Sequence, residues 1–105
     1  MKRYEVIISD KAREDMEKIH DYIAETLLSP ETAANQYDRI AKAILTLEEM
    51  PERIKPMDTE YGQSNEIRPL IVDNYTVFYV IRNKSVIVAR VLYSASDISK
   101  RLSGE

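Results

Sequence analysis

Apolar and polar residues alternate at the start of the chain. In KRYEVIIS, Tyr4, Val6 and Ile8 fall on one side and Glu5 and Ile7 on the other, which predicts a strand within residues 1–9. The period then changes. From Lys11 to about Leu28, Ala12, Met16, Ile19, Ile23 and Leu27 recur at spacings of four, three, four and four, one apolar stripe of a helix. Ser9 or Asp10 is placed to cap it. Glu14 and Asp15 sit in its first turns, where negative charge suits the helix dipole. Arg13, Glu14, Glu17, Lys18 and Asp21 form the opposite, solvated face.

The stretch LSPETA punctuates the pattern. Ser29 is placed as a cap, Pro30 at the first helical position and Glu31 in the first turn. A second helix follows, with Ala33, Tyr37, Ile40, Ile44 and Leu47 as its stripe. It is expected to end at Met50, because Pro51 disfavours helical geometry in the residue before it. Two helices with so short a join predict an antiparallel hairpin. Pro51 to Asn65, with Pro56, Asp58 and Gly62 inside it, reads as a loop. Strand patterns return in Glu66–Val72, with Pro69 marking an edge or irregular position, and in Tyr75–Arg82 and Ser85–Tyr93. Strict alternation along the last strand puts Val86, Val88, Arg90 and Leu92 on one face and Ile87, Ala89, Val91 and Tyr93 on the other. The tail ISKRLSGE is expected to form a short helix capped by Ser96 or Asp97, then fray over residues 98–105. The order β-α-α-β-β-β, with two apolar helical stripes needing a sheet to cover, predicts a two-layer α+β fold. It is an N-terminal strand, a long antiparallel helical hairpin and a three-strand antiparallel meander, in a single domain spanning residues 1–105.

Composition removes several classes of function. The 105 residues contain no cysteine, so disulfides and thiolate metal sites are absent. One histidine, His20, lies beside the first stripe and reads as a helix-surface or hairpin residue. No zinc spacing, Gly-x-Ser-x-Gly elbow or phosphate-binding glycine loop occurs, so neither a metal nor another cofactor is expected. A net charge of −3 gives no general attraction to nucleic acid. No apolar run is long enough to cross a bilayer, and no signal peptide pattern is present, which together predict a cytoplasmic protein without membrane partners. Glu48, Glu49 and Glu52 cluster at a helix end, where a solvated acidic face is the simpler reading.

The remaining candidates are cations and phenols on the strands: Arg68, Tyr75, Tyr79, Arg82, Arg90 and Tyr93. Arginine and tyrosine on a sheet suit an RNA phosphate and base, or an acidic partner peptide. The plainer alternative is edge-of-sheet ion pairs and core tyrosines. Arg90, alternating with Val88 and Leu92, is expected to need a partner or a ligand.

The segments YEVIISDKAREDMEKIHDYIAETL, LSPETAANQYDRIAKAILTLEEMPER and IRPLIVDNYTVFYVIRNKSVIVARVLYSASD, with the closing MPER and the VLY…D finish, resemble the RelE/ParE superfamily of toxins from bacterial type II toxin–antitoxin modules. The resemblance covers nearly the whole chain. It implies a small cytosolic toxin of a plasmid-stabilisation type of module, neutralised in a hetero-oligomer by a cognate antitoxin that folds a segment over it. RelE-like members cleave messenger RNA in the ribosome, whereas ParE-like members inhibit DNA gyrase. The nucleases carry an arginine after the tyrosine or histidine that opens the third strand, where this chain has Thr76 after Tyr75. They carry basic residues before the final aspartate, where this chain has Ala95 and Ser96 before Asp97. The terminal acid of the nucleases matches only Tyr93. A nuclease here would need Arg68 and Arg90 to substitute, with Tyr93, in a rearranged catalytic site. The long hairpin and the missing cations therefore incline the chain to the ParE-like branch. A toxin fold that has lost toxicity is a third reading.

Overall fold

The change of period at residue 9 is a change of element. The computed structural model describes residues 3–58, 65–95 and Leu102. Strand β1 (Glu5–Ile8) ends at Ser9, whose hydroxyl does two things. It accepts the Ala12 N–H (3.0 Å), capping helix α1 (Asp10–Asp21), and donates to the Ala89 carbonyl (3.1 Å). One side chain thus sets both the helix start and its distance from the sheet. Ser9→Ala is expected to cost about 1–2 kcal/mol, measured by chemical denaturation, because it removes a cap and one further hydrogen bond.

Helix α1 does not run to Leu28 in one winding. After Asp21 it widens into a π-helical turn, Tyr22–Thr26, in which the Leu27 N–H reaches the Tyr22 carbonyl (3.2 Å). Leu28 then takes a left-handed conformation (φ 52°), which lets the Ser29 N–H return to the Ile23 carbonyl (3.1 Å). Ala12, Met16 and Ile23 are buried as the stripe requires, but the widened turn throws Leu27 outward, 57% exposed. Helix α2 (Pro30–Leu45) begins at the expected proline. The Ser29 hydroxyl does not cap it; it donates instead to the Thr32 hydroxyl (2.7 Å). The helix ends earlier than Met50, tightening into a 3₁₀ turn over Thr46–Glu48. Met50 is left-handed (φ 48°), and Pro51–Arg53 forms a second 3₁₀ turn. Arg53 supplies the ending: Nη1 donates to the carbonyls of Glu49 (2.8 Å) and Met50 (3.2 Å), and Nη2 to the Thr46 hydroxyl (3.1 Å). That contact gives MPER a physical role, since the last carbonyls of a helix lack intrahelical partners.

Strands β2 (Arg68–Val72), β3 (Tyr75–Arg82) and β4 (Ser85–Tyr93) form the antiparallel meander, and β1 joins β4 in parallel, giving the order β1-β4-β3-β2. β2 starts two residues later than its pattern, and Pro69 lies on this edge strand, where its missing N–H breaks no ladder. Both hairpins turn without glycine. Asp73 (φ 56°) and Asn83 (φ 57°) take the positive φ, the two residue types that tolerate it best.

Asp73 is also held from across the layers. The Gln36 amide donates to Oδ2 (3.1 Å), and Arg39 of α2 donates from Nε (2.8 Å) and Nη2 (2.7 Å). The Gln36 hydrogen bond, then the Arg39 contacts, hold this carboxyl below its usual value against the opposing effect of burial. A depressed folded-state pKa contributes stability that is complete above the unfolded value, about 4, and disappears as pH falls through the lowered folded value. Asp73→Asn, which keeps the tolerance for positive φ, is therefore expected to destabilise at pH 7. The gap to the parent is expected to close in the most acidic denaturation curves.

Strict alternation fails in β4. Phe78 pairs with Arg90 and Tyr79 with Val88, so Ala89 is an extra residue, a β-bulge. Val86 and Val88 precede the bulge and Val91 follows it, yet all three belong to the core beneath the helices, with Ile40, Ile44, Leu47, Val77 and Tyr79. Leu92 instead joins Phe78 and Ile67 in a second cluster, together with Met57, Val80 and Leu102. Val88 and Leu92 thus lie in different cores, contrary to the simple alternation. The Ser96 or Asp97 cap and most of the tail lie outside the described residues.

Candidate functional site

Helix α1, the π-helical turn, the β2–β3 turn and the end of β4 converge on one cleft of about 580 Å³. Its walls include Lys18, Tyr22 and Leu27 from the helical side and Tyr75, Val91 and Tyr93 from the sheet. Val72 and Tyr75 flank a two-residue turn, and Tyr75 pairs directly with Tyr93 across β3 and β4. Their rings meet edge to face, with centroids 5.9 Å apart and planes at 66°. Burial, then the neighbouring phenols of Tyr93 and Tyr22, push the Tyr75 hydroxyl above its usual range. It is therefore protonated at neutral pH and presents a donor. Next along β3, Thr76 is buried and shares a 2.8 Å hydrogen bond with the Ser94 hydroxyl, while the Ser94 N–H donates to the Asn74 carbonyl (2.9 Å).

Asp15 forms part of the floor. β1 stops at Ile8, so beyond it β4 meets the start of α1 rather than another strand. The Asp15 carboxylate fills that gap: Oδ2 accepts the Val91 N–H (3.0 Å) and the Arg90 Nε–H (2.7 Å), and Oδ1 accepts from Arg90 Nη2 (3.0 Å). The ion pair is largely dry, with side-chain exposures of 15% for Arg90 and 5% for Asp15. The Asp15 hydrogen bond, more than the opposing effect of burial, raises the Arg90 pKa further above its ordinary value. Arg90 thus has the partner its setting demanded. Asp15, read in sequence as a helix-dipole carboxylate, is instead a buried structural acceptor.

The other candidates do not gather here. Tyr79 is fully buried, and its hydroxyl donates to the Pro51 carbonyl (2.6 Å). Arg68, opposite Tyr79 in the register, donates from Nη1 to the carbonyls of Ile54 (2.6 Å) and Glu52 (3.4 Å). These two side chains clamp the turn after α2. Arg82 is exposed beside the β3–β4 turn, with Nη1 on the Ile81 carbonyl (3.1 Å). Of the six candidates, Tyr75 and Tyr93 line the cleft, Arg90 lies beneath it, and Arg68, Tyr79 and Arg82 lie elsewhere. Lys18 and Tyr22 are the residues that sequence reasoning missed. Both sat on a face read as solvated or beyond the stripe, yet Asp15, Lys18 and Tyr22 fall three and four residues apart, one face of α1 that the sheet meets at the cleft.

His20 packs edge-on against Tyr37 (6.3 Å between centroids) and contacts Asp21 (3.2 Å), as a hairpin residue would. Glu48 and Glu49 pair with Arg3 (2.7 and 3.2 Å), and Glu52 accepts the Tyr4 hydroxyl (3.0 Å), so the acidic cluster ties the hairpin end to β1. Among the described residues no group of three or more His, Cys, Asp or Glu could hold a metal ion. No helix among them is long and apolar enough to cross a membrane.

A family model described as the ParE toxin of type II toxin–antitoxin systems, parDE, matches residues 6–98. The fold is similar to a chain of the chromosomal ParDE toxin–antitoxin system of P. aeruginosa, with a TM-score of 0.74 and 17% identity over 89% of this chain and 98% of that one. It is also similar to a chain of the RelBE2 toxin–antitoxin complex of Mycobacterium tuberculosis (TM-score 0.60, 24% identity, 91% and 97% covered). A third likeness is to a conserved hypothetical protein of Helicobacter pylori, solved in solution (TM-score 0.51, 15% identity, 89% and 97% covered). At these identities the structural likenesses establish the fold alone. No curated protein matches the sequence.

Proposed function

We propose that this chain, which belongs to the ParE toxin family of type II toxin–antitoxin systems, acts by binding and inhibiting a protein target, DNA gyrase, and is neutralised by a cognate antitoxin. One observation carries the choice of binding over RNA cleavage. The two arginines that a rearranged nuclease site would need are already engaged: Arg90 with Asp15, and Arg68 with the carbonyls of Ile54 and Glu52. Cleavage by the ribose 2′-hydroxyl builds charge on a pentacovalent phosphate, and cations aimed at that charge supply the main catalytic effect. Thr76 and Ser94, which follow Tyr75 and Tyr93 in the chain and bond to each other, offer only neutral hydroxyls. An exposed cleft walled by tyrosine and leucine suits a protein surface better than a reacting phosphodiester. The same reading entails a bacterial, cytoplasmic protein working within a plasmid-stabilisation module, in a hetero-oligomer with its antitoxin.

The test is a gyrase supercoiling assay with the purified protein. Inhibition that rises with toxin concentration and is relieved by the antitoxin encoded beside it is the expected result. Full supercoiling at saturating protein would sink the gyrase assignment. Cleavage of a reporter message only when ribosomes are present, and its loss in Tyr93→Phe, would move the protein to the RelE-like branch. Normal growth on induction of the lone gene would mark a toxin fold without toxicity.

A further inference from the structure

Lys18 is exposed on the rim of the tyrosine cleft, and no ion pair engages it among the described residues. The phenols of Tyr22 and Tyr75 line the same space, and neither makes a hydrogen bond within the described residues. Among the described residues the cleft has one carboxylate, Asp15, and Arg90 neutralises it. Among those residues the cleft therefore presents one unopposed ammonium and the two phenol donors of Tyr22 and Tyr75 beside apolar side chains. That set matches one carboxylate: an ammonium supplies the charge and phenols the remaining hydrogen bonds. It matches a phosphodiester chain poorly, because polyanion binding draws on several cations and the chain is net negative.

The apolar lining points the same way. Tyr22 is 55% exposed and Leu27 57%, and Leu28, the next residue in the chain, is 81% exposed. Leu28 holds a left-handed conformation that a β-carbon disfavours, so the π-helical turn keeps two leucines outward at some conformational cost. Aromatic and leucine side chains around a lone cation suit a segment that carries one acidic residue between apolar ones.

We propose that this cleft seats an acidic side chain from an apolar-flanked peptide segment of a protein partner, with Lys18 and the Tyr22 and Tyr75 hydroxyls holding the carboxylate and Leu27 and Leu28 covering its neighbours. This rests on the reading that the protein works through protein partners, and names the chemistry that such a partner must offer here.

The experiment is an NMR titration of the full chain with tyrosine rings labelled. Three probes are compared: a capped leucine–glutamate–leucine peptide, the same peptide with glutamine in place of glutamate, and a penta-uridine RNA. The Tyr22 and Tyr75 rings are expected to shift with the glutamate peptide at millimolar concentration. Affinity is expected to fall about tenfold with the glutamine peptide and again about tenfold in Lys18→Gln, since a charge-assisted contact is lost in each case. Lys18 is exposed, so its variant keeps the parent's melting temperature. Leu28→Gly, which relieves the left-handed strain, is expected to stabilise the chain while weakening the peptide. No ring shift at saturating peptide, equal binding of both peptides, or shifts caused by the RNA alone would each overturn the proposal. So would ring shifts that depend on protein concentration without any peptide, which would assign the cleft to a second copy of this chain. Gyrase inhibition is measured separately, so a failure of the target assignment and a failure of this site assignment give different results.

Discussion

Asp15→Ala is expected to lower the stability of this protein by about 3–5 kcal/mol, because it strands a buried charge. The change removes all three acceptor contacts of a carboxylate that is only 5% exposed. It leaves the Arg90 guanidinium, itself 15% exposed, as an uncompensated charge, and orphans the Val91 N–H at the point where β1 has ended. Domains of this size are stable by only about 5–15 kcal/mol, so the variant gives up a large share of its margin. Its melting temperature should fall by roughly 12 °C or more. A double variant, Asp15→Ala with Arg90→Met, separates the contributions. Removing the stranded charge as well should recover part of the loss, because a buried ion pair is offset by its own desolvation. The residual deficit, about 1–3 kcal/mol, belongs to the Val91 N–H. A loss below about 1 kcal/mol in the single variant, read from guanidinium denaturation, would show that the pair is not the link between α1 and β4 described above.

Arg68→Ala is the second large effect, about 1.5–3 kcal/mol, and it also bears on function. Arg68 and Tyr79 share a task. One guanidinium nitrogen holds the Ile54 and Glu52 carbonyls, and the phenol holds the Pro51 carbonyl, so the turn after α2 is fixed to the helix-side face of the sheet. The Nε of half-buried Arg68 is buried without a hydrogen-bond partner among the described residues, and Nη1 makes the two carbonyl contacts. If Arg68 is a clamp, the variant melts lower and its gyrase inhibition falls only with the unfolded fraction. If Arg68 stabilises a reacting phosphate, message cleavage disappears while the melting curve stays in place. Arg82→Ala is the control, since its exposed side chain reaches only the neighbouring Ile81 carbonyl and should change stability by less than about 0.5 kcal/mol.

Arg90 shows where sequence reasoning reaches and where it stops. Placed between valine and leucine, it could be read as a cation in need of a partner. Nothing local could say that the partner was Asp15, 75 positions away. Tyr79 and Tyr75 sit on the same strand with the same period, and their residue types are identical. One is fully buried on a proline carbonyl and the other lines the cleft, because the turn after α2 covers one and the β2–β3 turn opens beside the other. The β4 bulge has no glycine or proline to announce it. It exists because Ser9 and Asp15 bond to the backbone of β4 where β1 no longer pairs with it.

The sequence by itself determined the succession of elements. A two-residue period, two stripes near 3.6 residues and Pro30 at the start of the second helix are local signals, and each announces an element that is present. It also determined the two-layer arrangement, because two amphipathic helices and three β-branched strands can bury their apolar faces in few other ways. Only the tertiary structure decided that β1 runs parallel beside β4, that α1 widens into a π-helical turn, and that Lys18, Tyr22, Tyr75 and Tyr93 share one cleft. Those outcomes depend on which distant groups satisfy one another's hydrogen bonds and charges, and such pairings leave no periodic trace along the chain.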